Sequence, residues 1–303
     1  MSKNDLPIID PHQHFWDLDK NYHPWLCDPS SIPFRYGDYT TLKRNYLPDS
    51  YEKDASGFNV VGTVYVEAEW DPKDPIGETR WVTALANHQG LPSAIVAQAW
   101  LDHEDAAEVL RTQAAFARVR GIRQKPKAAS SPVEACRGAA GSMDDPRFRD
   151  GFAYLASLGL SYDLQTPWWH LDAALELAQD FPDTQIILNH TGLPADRSAE
   201  GLAGWRKAMG ALSDAPNVAL KISGLGQPGK AWTIDANGPV IRDALSIFGA
   251  ERCMFASNFP VDSLCAAFQT IFSGYLTLTA NLDADLRQGL FHENARRIYR
   301  LKP

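Results

Sequence analysis

Cysteine is scarce in this 303-residue sequence: four residues, Cys27, Cys136, Cys253 and Cys265, are scattered along the chain. That number and spacing exclude a disulfide scaffold and a C-x-x-C metal site, and imply reduced thiols in a cytoplasmic protein. No apolar run approaches the ~20 residues needed to cross a bilayer. The first five residues, MSKND, open no secretory apolar segment. Basic residues are the minority, 29 Lys and Arg against 37 Asp and Glu for a net charge of −8. A field of that sign repels nucleic acid and anionic membrane. Collagen-like, low-complexity and internally repeated stretches are missing too. What is present is apolar bulk: 45% of residues are hydrophobic, enough to fill a large core.

Short β-branched runs recur along the chain, at residues 7–10, 60–66, 93–100, 119–123, 160–164, 185–189, 218–222 and 252–257. Amphipathic stretches separate most of them: 78–88, 105–117, 148–157, 171–180, 199–212 and 234–248. Strands alternating with helices require crossover connections and a parallel sheet. Eight such units predict a single-domain (β/α)8 barrel over residues 1–303. A doubly wound sheet would place a glycine-rich phosphate turn after its first strand. Here Pro11-His12-Gln13-His14 follows instead. Residues 15–48, with four prolines and many aromatics, break the repeat and read as a long first loop across the barrel mouth.

Chemistry in such a barrel sits at the carboxyl ends of the strands. His12 and His14, two apart on an extended backbone, point to one face. His190 follows the sixth run, Arg123 the fourth, Glu67 and Glu69 the second, and Gln165 and His170 the fifth. Asn258 and Asp262 follow the eighth. Any one of these is more often a packed or capping residue than a functional one; their concentration at one rim is not chance. Arg123 has the planar fork suited to a substrate carboxylate. Asp262 is either a general base or the cap of a helix starting near residue 263. Trp16, Trp25, Trp70, Trp168 and Trp169 fall in rim loops, and Trp169 beside His170 is the aromatic expected to touch ligand.

These same residues carry a resemblance. Ile9-Asp10-Pro11-His12-Gln13-His14-Phe15-Trp16, Arg120-Gly121-Ile122-Arg123, Asn189-His190-Thr191-Gly192, Lys221-Ile222-Ser223-Gly224 and Met254-Phe255-Ala256-Ser257-Asn258-Phe259-Pro260-Val261 stand in an order spanning nearly the whole chain. In that order they resemble the amidohydrolase superfamily, in the branch related to 2-pyrone-4,6-dicarboxylate lactonase and the sugar-acid lactonases. The resemblance implies a (β/α)8 barrel that hydrolyses a cyclic ester, with His12, His14 and His190 at the reacting centre. It also implies an aspartate at position 258 that accepts the proton of the attacking water. This sequence has Asn258 there.

An amide neither ionises nor takes up a proton near neutral pH, and it lacks the charge that balances a divalent ion. The expectation is therefore a lactonase that needs no cofactor, with His12, His14 and His190 left as ligands if zinc binds. The base then falls to His190, Glu67, Glu69, Asp262 or His170, with imidazole and Arg123 polarising the carbonyl. Two rival readings are a metal-dependent decarboxylase of the same fold and a catalytically silent ligand-binding barrel. A homo-oligomer is compatible with the sequence, which names neither the substrate nor the subunit number.

Overall fold

The structure, a computed structural model, describes residues 4–302. Eight strands run in sequence order around one sheet: β1 (Asn4–Gln13), β2 (Phe58–Val66), β3 (Ala94–Gln98), β4 (Val119–Arg123), β5 (Ser161–Leu164), β6 (Ile186–Leu188), β7 (Val218–Ile222) and β8 (Cys253–Phe255). Every neighbouring pair is parallel. The ring closes where Gln13 bridges Phe259: His14 N donates to Phe259 O at 2.8 Å, and Asn258 N to His12 O at 2.8 Å. The expected (β/α)8 barrel is the fold.

Burial on both faces explains why the strands read as unbroken apolar runs. All five residues of β3 and of β7 are buried. Ile9, Val64, Val96, Ile187, Ala219 and Met254 fill the barrel, and Tyr299 enters it after the terminal helix Asn294–Ile298. The opposite faces pack under helices such as Gly77–Gln89, Leu171–Asp180, Ala199–Ser213 and Ile234–Phe248. Strand ends differ from expectation by a few residues. The eighth stops at Phe255 because Asp10 captures the chain beyond it, accepting from Ser257 N at 2.9 Å and from Ser257 Oγ. Asp10 also accepts from Tyr51 Oη at 2.8 Å, so the acid of the D-x-H-x-H run is a closing bolt of the ring.

The long first loop is pinned at its base, where Trp16 and Tyr46 exchange two backbone hydrogen bonds of 2.9 Å. Its aromatics pack on one another: Trp25 stacks on Phe34 at 5.8 Å, and Tyr39 meets Phe34 at 4.9 Å. That packing holds residues 32–35 on the wall of the cavity at the carboxyl ends of the strands.

Candidate active site

His12 and His14 leave the end of β1 on one face, as their spacing requires, with ring centroids 5.0 Å apart. His190, from the end of β6, stands 4.6 Å from His12. All three are buried. His190, Asn258 and Glu69 take left-handed backbone, with φ of 53°, 55° and 56°. Such conformations cost of order 1 kcal/mol each outside glycine and gather where a side chain must be aimed. Gly224, at φ 65°, lets the chain pass His190: a Cβ there would lie 2.7 Å from the His190 Cβ and 3.0 Å from Arg35 Nη1.

Burial, helped by nearby cations, holds the three imidazoles well below their ordinary pKa, so they are neutral at pH 7. His14 Nδ1 lies 2.7 Å from Val66 O, an acceptor only, which puts its proton on Nδ1 and leaves Nε2 with a bare lone pair. That lone pair faces Asn258 Oδ1 at 3.4 Å. His12 Nδ1 is 3.4 Å from the Lys221 ammonium, whose main bond is to Asp163 Oδ1 at 2.5 Å. With lysine donating, His12 carries its proton on Nε2, and that atom is buried with no protein partner. His190 Nδ1 pairs with Ser223 Oγ at 3.0 Å.

A cavity of about 290 Å³ opens above this floor. Trp16, Trp25, Phe34 and Leu193 form its apolar side, and Arg35, Glu69, Arg123, Lys125 and Gln165 its polar side. His14, His190 and Asn258 line its base.

Several expectations change on this geometry. Arg123 is at the site, but Nε donates to Glu67 Oε1 at 2.5 Å and Nη2 to the Glu67 carbonyl. Its fork is thus filled from inside the protein, and Nη1, 3.2 Å from Gln165 Oε1, remains beside the cavity. Glu69 holds Lys125. Asp262 is not a helix cap: it sits within the short turn Val261–Leu264, accepting from Asn258 Nδ2 at 2.6 Å, Tyr36 Oη at 2.9 Å and Gly224 N at 3.1 Å. Trp169 and His170 lie off the cavity wall. Trp169 Nε1 donates to Ala129 O at 3.0 Å, and His170 Nε2 accepts from Ala129 N at 2.9 Å, so both secure the loop after β4. Glu67, Asp262 and His170 have their acceptor atoms engaged within the protein, and Glu69 Oε1 is taken up by Lys125.

Sequence reading missed Arg35. It comes from the long loop, reaches Asp262 Oδ1 at 3.5 Å with Nη2, and its Nη1 is buried beside His190 with no partner. Without helical or strand periodicity in that loop, nothing local signals where residue 35 arrives. It also missed the Lys221–Asp163 pair, both side chains fully buried, with Tyr299 Oη donating to Asp163 Oδ1 at 2.8 Å.

Could the floor hold a metal ion? Among the described residues, no three His, Cys, Asp or Glu side chains are arranged to close on one. The tautomer set by Lys221 leaves a proton, not a lone pair, on His12 Nε2, and Asn258 supplies no charge. The arrangement does not fit a divalent ion.

The amidohydrolase family model Amidohydro_2 matches residues 9–301. An uncharacterised protein of Sinorhizobium fredii, y4mH, is 42% identical over 298 residues, covering 98% of this chain and all of that one. An L-fucono-1,5-lactonase of Burkholderia ambifaria is 27% identical over 97% of this chain and 95% of its own. A crystal structure of an amidohydrolase from Burkholderia multivorans, with bound zinc, superposes with a TM-score of 0.80 at 25% identity, covering 97% of this chain and 99% of that one. With a match across almost its whole length, this chain belongs to the amidohydrolase family.

Proposed function

We propose that the protein hydrolyses a small sugar-derived lactone without a metal ion. The observation that carries this reading is the bare Nε2 of neutral His14 facing Asn258 Oδ1 across 3.4 Å, both residues lining the cavity at the barrel mouth. Two neighbouring acceptors call for a donor that reaches both, and a water molecule bridging them from the cavity side supplies two protons. His14 Nε2 takes one proton as the water oxygen adds to the lactone carbonyl carbon, while Asn258 holds the other. Negative charge gathers on the carbonyl oxygen, where the guanidinium of Arg35, a lining residue of the cavity, can stabilise it. The tetrahedral centre then collapses, the ring C–O bond breaks, and the ring oxygen leaves with the proton held by His14. The product is an open-chain hydroxy acid.

The cavity sits at the lower end of ligand-site volumes, roughly 300–1,000 Å³, and so suits a single ring. Its apolar side can stack on ring C–H groups, while Glu69 and Gln165 offer acceptors for hydroxyls. The fuconolactonase relatives support this substrate class.

The test is a pH-indicator hydrolysis screen over sugar lactones, muconolactones and pyrone carboxylates, with and without chelator. The expected result is turnover that survives chelation and falls about 100-fold or more in His14→Gln and His190→Asn. Turnover abolished by chelation and restored by zinc overturns the metal-free mechanism. No turnover on any lactone, with ligands still raising the melting temperature, makes the protein a binding barrel instead.

A further inference from the structure

A second and larger cavity, about 630 Å³, lies away from the mouth, between the amino-terminal ends of β2–β4, the helix Gly77–Gln89 and the chain terminus. Arg118, Arg120, Arg296 and Lys302 line it, with Thr83 and Ser93 between them. In a chain of net charge −8, four cations around one hollow need an explanation. Among the described residues, the ion pairs reaching it are those of Glu293, with Arg296 at 2.6 Å and His292 at 2.9 Å. Arg118 makes a long 3.4 Å bond to Pro92 O, and Arg120 caps Ala117 O and Val119 O at 2.8 and 2.9 Å. Carbonyls satisfy N–H groups but leave the guanidinium charges unbalanced. Burial, and then the nearness of Arg118, lowers the pKa of Arg120; burial, and then Arg120, does the same to Arg300. Thr83 Oγ1 is buried there without a partner, and Ser93 Oγ accepts from Thr63 N at 3.3 Å, which leaves its proton to donate.

Clustered cations that repel one another, with hydroxyl donors nearby and, among the described residues, no carboxylate paired with three of the four, have the chemistry of an anion receptor. We propose that this cavity binds a small, multiply charged oxyanion, either phosphate or a polycarboxylate.

The test is calorimetric titration of the full chain with inorganic phosphate and, separately, with citrate, at constant ionic strength set with chloride. Saturation at one anion per chain is expected. Arg118→Gln with Lys302→Gln should weaken binding about tenfold or more, the weight of a lost charge-assisted hydrogen bond. Arg35→Met, at the opposite end of the barrel, should leave the titration unchanged. Tighter phosphate or tighter citrate identifies the source; either supports the site. Lys302→Gln alone, at an exposed residue, gives the answer if the double variant does not fold. The inference is overturned if neither anion saturates, if these variants bind like the parent, or if Arg35→Met abolishes binding and so places the anion at the mouth.

Discussion

Asn258 donates its amide to Asp262 Oδ1 at 2.6 Å, and that bond fixes which atom it shows His14. With Nδ2 committed to the carboxylate, Oδ1 must face the His14 lone pair. Burial raises the Asp262 pKa, while Arg35, Asn258, Tyr36 and Gly224 N favour the charged form. Asp262 is thus a positioning residue: it orients Asn258 from below and anchors Arg35 and Tyr36 of the long loop from above.

Asn258→Asp tests that arrangement. It replaces a donor by a second carboxylate where only 2.6 Å separates the partners. Two buried like charges there should destabilise the fold by about 3–5 kcal/mol in chelator. A divalent cation balances them, so zinc should raise the melting temperature and co-purify near stoichiometry. Thermal denaturation with and without EDTA, alongside metal analysis, checks this. A variant as stable in EDTA as the parent contradicts the orientation assigned to Asn258.

Arg35→Met should lower kcat/KM by about 100-fold, the usual loss when a donor to a developing oxyanion is removed. Stability should change by less than about 1 kcal/mol, since the contact to Asp262 is long and a quarter of the side chain is exposed. Steady-state kinetics on the best lactone decides it. Unchanged kcat/KM removes Arg35 from the mechanism.

Lys221→Met leaves Asp163 buried without its counter-ion, and stranding a charge in this way costs about 3–5 kcal/mol. Adding Asp163→Leu should recover most of that loss, because the unpaired charge goes with it. Denaturant melts of the single and double variants measure both, and a double variant no better than the single one refutes the assignment.

Glu78 gives a pH dependence with a definite sign. Burial, with Glu67 nearby, pushes its carboxyl up to about 8 from the ordinary 4.5. Between those values the folded state keeps a proton that the unfolded chain has released. Stability attributable to this group is present below pH 4.5 and is lost as pH rises towards 8, by about 1.4 kcal/mol per unit. Glu78→Gln keeps an acceptor for Tyr65 Oη and Ala68 N, both 2.7 Å from Oε1, and cannot ionise. The variant should match the parent near pH 5 and exceed it at pH 8 in denaturant melts. Equal slopes for both proteins show that Glu78 ionises normally.

Much of the barrel is legible in the sequence because parallel strands buried on both faces leave continuous apolar runs that need no partner to be seen. The placement of His12, His14, His190 and Asn258 follows from strand ends alone, since a parallel barrel gathers those ends at one rim. Bonding partners are another matter. That Glu67 fills the Arg123 fork, that Ala129 takes up Trp169 and His170, and that Arg35 arrives beside His190 depend on side chains 56, about 40 and 155 residues apart. Local propensity carries no information about such meetings. Hydrogen-bond direction, and with it which ring nitrogen of His12 and of His14 carries the proton, exists only once the chain has closed.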